Sequence, residues 1–387
     1  MSGLADIGAE GRDPGFWRRL WAMVRKEFVQ MRRDRLTFAM MISIPVMQLV
    51  LFGYAINLDP RGLPTAVLLH DDGPLVRQVL RGLETTGYFA LEPPLSGEEA
   101  MEEVLRAGDV QFVVEIPSGF ERALRRGETA QVLVVADATD PAATGGAVAA
   151  LPGLAEGVLR HDLPGGDTAA AAGGRVAFVV HRRYNPAGVT QLNIVPGLLG
   201  VILTMTMTLF TSLAVTREVE RGTMESLLAM PIRPVEIMLG KILPFILVGL
   251  LQMALILGAA KALFAVPFEG SVVALVLLTV LFVVANLSVG YTFSTIARNQ
   301  LQAVQMTFLF FLPSILLSGF MFPFRGMPGW AQIIGEGLPL THFLRLVRGI
   351  LLKGAAAGDL WPDIGALAVF ALAAMAVALA RFRQTVE

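Results

Sequence analysis

Long stretches without a single charged residue dominate this chain, and they decide what it can fold into. Six of them are near the length a helix needs to cross a hydrocarbon core of about 30 Å: 36–56, 194–216, 242–260, 271–297, 301–324 and 364–380. The second is taken from a charge-free run over 185–216, because Pro186 and Pro196 suit a lead-in turn better than a helix interior. The last, 17 residues long, spans only if Trp361 anchors it at the interface. Charged residues make up 16% of the chain, against about 25% in soluble domains, so a water-soluble globule and a disordered chain are both poor readings. The expected class is an α-helical membrane protein with six transmembrane helices.

Basic residues in the connecting loops then set the orientation. Arg12, Arg18, Arg19, Arg25, Lys26, Arg32, Arg33 and Arg35 precede the first span, and Arg217, Arg221, Arg233 and Lys241 separate the second from the third. Arg298 lies in the next turn on the same side, with Arg381 and Arg383 in the tail. The positive-inside rule puts all four groups, and hence both termini, on the cytoplasmic side of the membrane. Arg325, Arg345, Arg348 and Lys353 run against the rule, since they make a basic loop outside. The first span is read as a retained anchor, because it exceeds the roughly 7 to 15 apolar residues of a secretion signal and no small-residue cleavage pattern follows. Before it, residues 1–35 end in an amphipathic segment with Trp17, Leu20, Trp21, Val24, Phe28 and Met31 on one face, suited to lying in the interface of the lipid bilayer.

Residues 57–184 differ in composition, with charges throughout. Short Val, Leu and Phe-rich runs predict strands at 66–70, 88–92, 110–116, 131–136 and 176–181. Apolar spacing predicts helices through Leu75, Val76, Val79, Leu80 and Leu83 and through Met101, Val104 and Leu105. Ser96 with Glu99, and Ser118 with Glu121, have capping-box spacing. An α/β domain inserted between the first two spans, on the extracytoplasmic side, follows, with a mobile Gly and Ala-rich loop at 164–174.

Several functions are excluded or disfavoured. There is no cysteine, and His70, His161, His181 and His342 lack metal-ligand spacing, so neither thiol catalysis nor a zinc site is expected. A net charge of -1 offers nucleic acid nothing to bind. No phosphate-binding GxxxxGK[ST] loop occurs: the only Gly-Lys pair, Gly240-Lys241, is followed by Ile242. The chain is therefore expected to bind no cofactor of its own and to have no catalytic residues. An ion-coupled secondary transporter, the main rival reading, normally carries carboxylates inside its spans, and these six have none. A membrane-anchored receptor, the other alternative, would not need six crossings.

The most informative stretch is the loop 217–234, from Arg217-Glu218 to Arg233-Pro234. Met224, Leu227 and Leu228 form an apolar ridge, Arg221 and Glu225 are an i,i+4 pair, and Pro231 and Pro234 stop the helix. A rigid, half-apolar peg at the end of a span can pass force to that span; on residue chemistry alone a solvated loop is an equal reading. The ordered set Asn185-Pro186, Val195-Pro196-Gly197, Arg217-Glu218, Glu220-Arg221-Gly222-Thr223, Glu225, Leu227-Leu228, Pro231, Glu236 and Gly240-Lys241 resembles the membrane subunits of ABC-2 type transporters. Val219 departs from the pattern, where members often carry a charge.

The resemblance implies a permease domain over 185–387 and a separate ABC ATP-binding subunit that uses ATP and Mg. It implies pairing of two permeases, as a homodimer or with a paralogue, and export of an amphipathic or apolar cargo such as a drug, with a periplasmic adaptor as a further partner. Arg217, Glu218, Glu220, Arg221, Gly222, Thr223, Glu225, Leu228 and Pro231 would form the coupling helix. Segment 326–353, broken by Pro328, Gly329, Gly335, Gly337 and Pro339, resembles the family's re-entrant helices. An export path between two copies would use Thr204, Met207, Thr208 and Thr211 of the second span with Gln302, Gln305 and Met306 of the fifth.

Overall fold

The computed structural model describes residues 60–158, 176–220 and 234–386. Its first part is an α/β domain that alternates β1 (Leu63–Leu69), α1 (Pro74–Thr85), β2 (Phe89–Pro94), α2 (Glu98–Ala107), β3 (Phe112–Ile116), α3 (Phe120–Arg125), β4 (Ala130–Asp137), α4 (Pro141–Gly157) and β5 (Val176–Arg183). The strands form one sheet in the order β2-β1-β3-β4-β5, with only β3 and β4 antiparallel. Both faces are covered, which is why β3 is an unbroken apolar run apart from Glu115. Phe112, Val114 and Ile116 point into a core shared with Val79, Leu83, Phe120 and Leu151, and Val113 points the other way, toward Met101 and Leu105 of α2.

Each expected strand and both expected helices are present with modestly shifted ends. The capping boxes are not. Gly97 and Gly119 occupy the two cap positions, with no side-chain cap bond. Glu121 instead pairs with Arg125, and its N–H donates to Asp71 Oδ2 across 3.0 Å. Helix starts one residue later than the spacing suggests, so Ser118 is out of reach.

The second part is helical: α5 (Thr190–Glu220), α6 (Pro234–Phe264), α7 (Val272–Ile296), α8 (Gln300–Leu317), α9 (Gly329–Glu336), α10 (Pro339–Lys353) and α11 (Trp361–Val386). Among the described residues five helices, α5, α6, α7, α8 and α11, are long and apolar enough to cross a membrane. They coincide with the second to sixth expected spans; the first, 36–56, the interfacial segment before it and the loop 164–174 lie outside the described residues. Pro196 sits inside α5 instead of ahead of it. The fifth span stops at Leu317, seven residues before position 324: Gly319 adopts φ +85, a left-handed conformation that ends a helix, and Pro323 follows.

Helix α7 is the hub, packed against α5, α6, α10 and α11. A Cβ on Gly290 would stand 2.5 Å from the Thr208 carbonyl oxygen, so the hydrogen side chain lets α5 and α7 touch backbone to backbone. Phe282 of α7 stacks on Phe343 of α10, and the missing Cβ of Gly200 on α5 leaves room for Leu340 and Phe343. With 15 residues, α10 is about 22 Å long and too short to cross, yet nearly all of it is buried.

Candidate functional site

The spanning helices have two distinguishable ends. At one, Glu220 in the last turn of α5 meets the first turn of α8: its carboxylate accepts the Gln300 backbone N–H over 2.8 Å and the Gln300 Nε2 over 2.6 Å. Asn299 caps the same helix by accepting the Gln302 N–H, and Gln302 Oε1 accepts the Arg298 N–H. The two hydrogen bonds from Gln300, side chain first, hold the Glu220 carboxyl below its ordinary range. Arg217 and Glu218 lie on the same terminal turns of α5. Residues 221–233 lie outside the described residues, so Arg221, Gly222, Thr223, Glu225, Leu228 and Pro231 are not placed. The partner of Glu220 was missed in the sequence. Gln300 lies 80 residues away, and only the polar Asn299-Gln300 pair at a helix start hinted at an anion's seat.

The threonine stripe of α5 has the expected periodicity but faces inward. Thr204, Met207, Thr208 and Thr211 are all at most 1% exposed, turned into the protomer's own helix bundle. Small side chains are what the close approach of α7 at Gly290 requires. Thr204 donates to the Gly200 carbonyl, whereas the Thr208 and Thr211 hydroxyls have no hydrogen-bond partner among the described residues. The outward face of α5 carries Ile202 and Phe210, with Thr206 3.0 Å from Gln252 Oε1 on α6. On α8, Gln302 is buried, Gln305 and Met306 are half-buried and Phe308 is exposed.

The other end of the bundle joins the α/β domain. Lys353 Nζ, at the end of α10, donates to Asp137 Oδ2 over 2.6 Å and to the Leu105 carbonyl over 3.0 Å. Asp137 Oδ1 accepts the Thr139 hydroxyl, the Thr139 carbonyl accepts from Asn193 Nδ2, and Asn193 Oδ1 accepts from Arg348 over 2.7 Å. Arg345 forks onto Glu336 and also reaches Asp363, which His342 Nδ1 meets at 2.7 Å. Tyr184 lies under Lys353, and burial, reinforced by Asp137, pushes its hydroxyl up to about 12.

A family model for the ABC-2 family transporter protein matches residues 35–380. The probable multidrug ABC transporter permease YbhS of Escherichia coli is 31% identical over 347 residues, covering 87% of this chain and 89% of that one. The inner membrane transport permease YhhJ of the same species is 32% identical, with 84% and 86% covered. The chain belongs to the ABC-2 transporter family.

A further relative of this ABC-2 chain, ABC transporter G family member 20 of Dictyostelium discoideum, is 25% identical, with 86% of this chain aligned to 46% of that one. No solved structure matches. Membership makes the chain a transport permease, the membrane subunit of an ABC transporter, and not itself an enzyme. Of the four basic residues after the fifth span, Arg345 and Lys353 are neutralised by Glu336, Asp363 and Asp137, so these two carry little of the free charge that orients a loop.

Proposed function

We propose that two such permeases, identical or paralogous, form the membrane half of an exporter in a bacterial inner membrane, driven by a separate ABC ATP-binding subunit that uses ATP and Mg. The observation that carries this reading is the end of α5. The stretch 217–234 begins on the last turn of α5, where Glu220 is bonded to Gln300. Force applied to that loop therefore reaches α5 and α8 together. The cytoplasm is assigned to this end, which also carries Arg217, Arg298 and Arg381. The α/β domain and the paired helices α9 and α10 are then extracytoplasmic, with α10 a re-entrant element and the domain surface available to a periplasmic adaptor.

The cargo is amphipathic or apolar, drugs included. Spans without charges and the names of the multidrug relatives support that class. The path runs between two copies along the outward faces of α5 and α8, with Gln305 and Met306 beside it and the threonine stripe behind, holding α5 on α7.

The test is efflux of a fluorescent amphiphile from proteoliposomes containing the permease and its ATP-binding subunit. ATP should drive export, and a hydrolysis-dead ATP-binding subunit should abolish it. Export sustained by a proton or sodium gradient without ATP would overturn the reading in favour of a secondary transporter.

A further inference from the structure

A cavity of about 160 Å³ lies where the α/β domain meets the helices, between α2, the end of β4, the start of α4 and the face of α10 that carries Arg345, Arg348 and Lys353. It matches the volume, about 150 Å³, that accepts a benzene-sized group. Five cationic side chains line it, Arg106, Arg325, Arg345, Arg348 and Lys353, along with the carboxylates of Asp137, Asp140 and Asp363. Three of the cations are spoken for. Lys353 pairs with Asp137, Arg345 with Glu336 and Asp363, and Arg106 with Asp359.

That leaves Arg325 and Arg348 without an ion pair among the described residues: Glu336, Glu92 and Asp109 act on Arg325 only at a distance, and of the two carboxylates that act on Arg348, Asp137 is held by Lys353 and Asp140 Oδ1 already accepts the N–H groups of Ala142 and Ala143 at the start of α4. Arg348 bonds only to uncharged acceptors, Asn193 Oδ1 and the Gly319 carbonyl, and its Nε is enclosed without a partner. Arg325 stands exposed at the mouth and makes no ion pair among the described residues. A desolvated guanidinium without a counter-charge is costly, and its planar fork matches an oxyanion. A third wall residue has the opposite need. Gln111 Oε1 is an enclosed acceptor with no donor, which a hydroxyl on the same ligand would satisfy.

We propose that this cavity binds a singly charged phosphate diester carrying a hydroxyl, with the phosphate on Arg348 and Arg325 and the hydroxyl on Gln111. The group has two possible sources, the headgroup of an anionic membrane phospholipid or a free solute of the same chemistry. The site is separate from the coupling end and from the α5 and α8 faces, so it stands whether or not the export mechanism above is correct.

The experiment uses the full-length permease in detergent with two probes. Phosphatidylglycerol retention is counted by native mass spectrometry, and glycerophosphoglycerol, the free headgroup, is titrated calorimetrically. Wild type should bind at least one probe, with binding weakened at least tenfold in Arg348→Gln and several-fold in Arg325→Gln. Binding of the lipid alone identifies a membrane source, and binding of both shows that the headgroup suffices. Arg325 is exposed, so R325Q still decides the matter if R348Q fails to fold. Gln111→Leu should weaken the hydroxyl-bearing headgroup more than dimethyl phosphate. The proposal is overturned if wild type binds neither probe, or if R325Q and any folded R348Q bind both as wild type does.

Discussion

Lys353 and Asp137 form an ion pair 2.6 Å long between the end of α10 and the end of β4, with only 8% and 7% of the two side chains exposed. Helix and sheet are 216 residues apart in sequence at this point, and the pair welds the α/β domain to the helical bundle. Removing one partner strands the other as a buried charge. Lys353→Met should therefore cost about 3–5 kcal/mol, seen as a fall in apparent melting temperature, and Asp137→Asn added to it should restore part of the loss. Strictly additive effects in the double mutant would mean that the two charges do not depend on each other.

The contact of α5 with α7 yields a second expectation. A side chain at Gly290 collides with the Thr208 backbone, whereas one at Gly258 meets nothing within 4 Å. Gly290→Val should destabilise the detergent-purified protein by about 1–3 kcal/mol or more, and Gly258→Ala should leave it unchanged. Equal melting temperatures for the two variants would contradict the packing described here.

His342 provides a pH dependence with a defined sign. Burial pushes its pKa down, but Asp363 at Nδ1 and the Glu336 carbonyl at Nε2 outweigh that, so the net shift is upward from 6.5. Two acceptors suit the imidazolium, which donates from both nitrogens, better than the neutral ring, which donates from one. Arg345 opposes the shift, and the Glu336 carboxylate also faces the ring, 3.8 Å from Nε2. A raised native pKa gives stabilisation that is complete below the unfolded value and lost as pH rises through the native one. Wild type should lose melting temperature as pH rises from about 5.5, a unit below the unfolded value, through the raised native pKa, and His342→Gln should flatten that slope. An unchanged slope would remove His342 as its source.

These relationships divide cleanly into what a single sequence reveals and what it hides. Elements set by local periodicity were readable: the strands through Val113 and Val134, the face of Leu75, Val79 and Leu83, and the charge-free helices. The capping boxes failed because Gly97 and Gly119 took the cap positions, and a spacing rule does not see which residue adopts the non-helical conformation. The Thr204, Thr208 and Thr211 stripe was visible, but periodicity identifies a face without saying what lies opposite; Gly290, some 80 residues on, decides that. Arg345 and Lys353 looked misplaced for the same reason, since Glu336, Asp363 and Asp137 are partners only in three dimensions.

Gln300 should matter to coupling more than to folding. Its two bonds to the fully exposed Glu220 tie α8 to the end of α5. Gln300→Ala keeps the backbone bond and removes the side-chain one. The variant should express and bind the ATP-binding subunit normally while efflux per ATP hydrolysed falls several-fold. Undiminished efflux per ATP would show that the bond is incidental.

The central claim is that the loop 217–234 is where the ATP-binding subunit drives the permease. Arg221→Glu combined with Glu225→Arg keeps an internal i,i+4 pair but reverses the charges offered to a partner. The measurement is ATP-driven efflux, with ATPase activity recorded in parallel, in proteoliposomes holding equal amounts of permease and ATP-binding subunit. Loss of both permease-stimulated ATPase activity and efflux is the predicted result; wild-type levels of both would contradict the account.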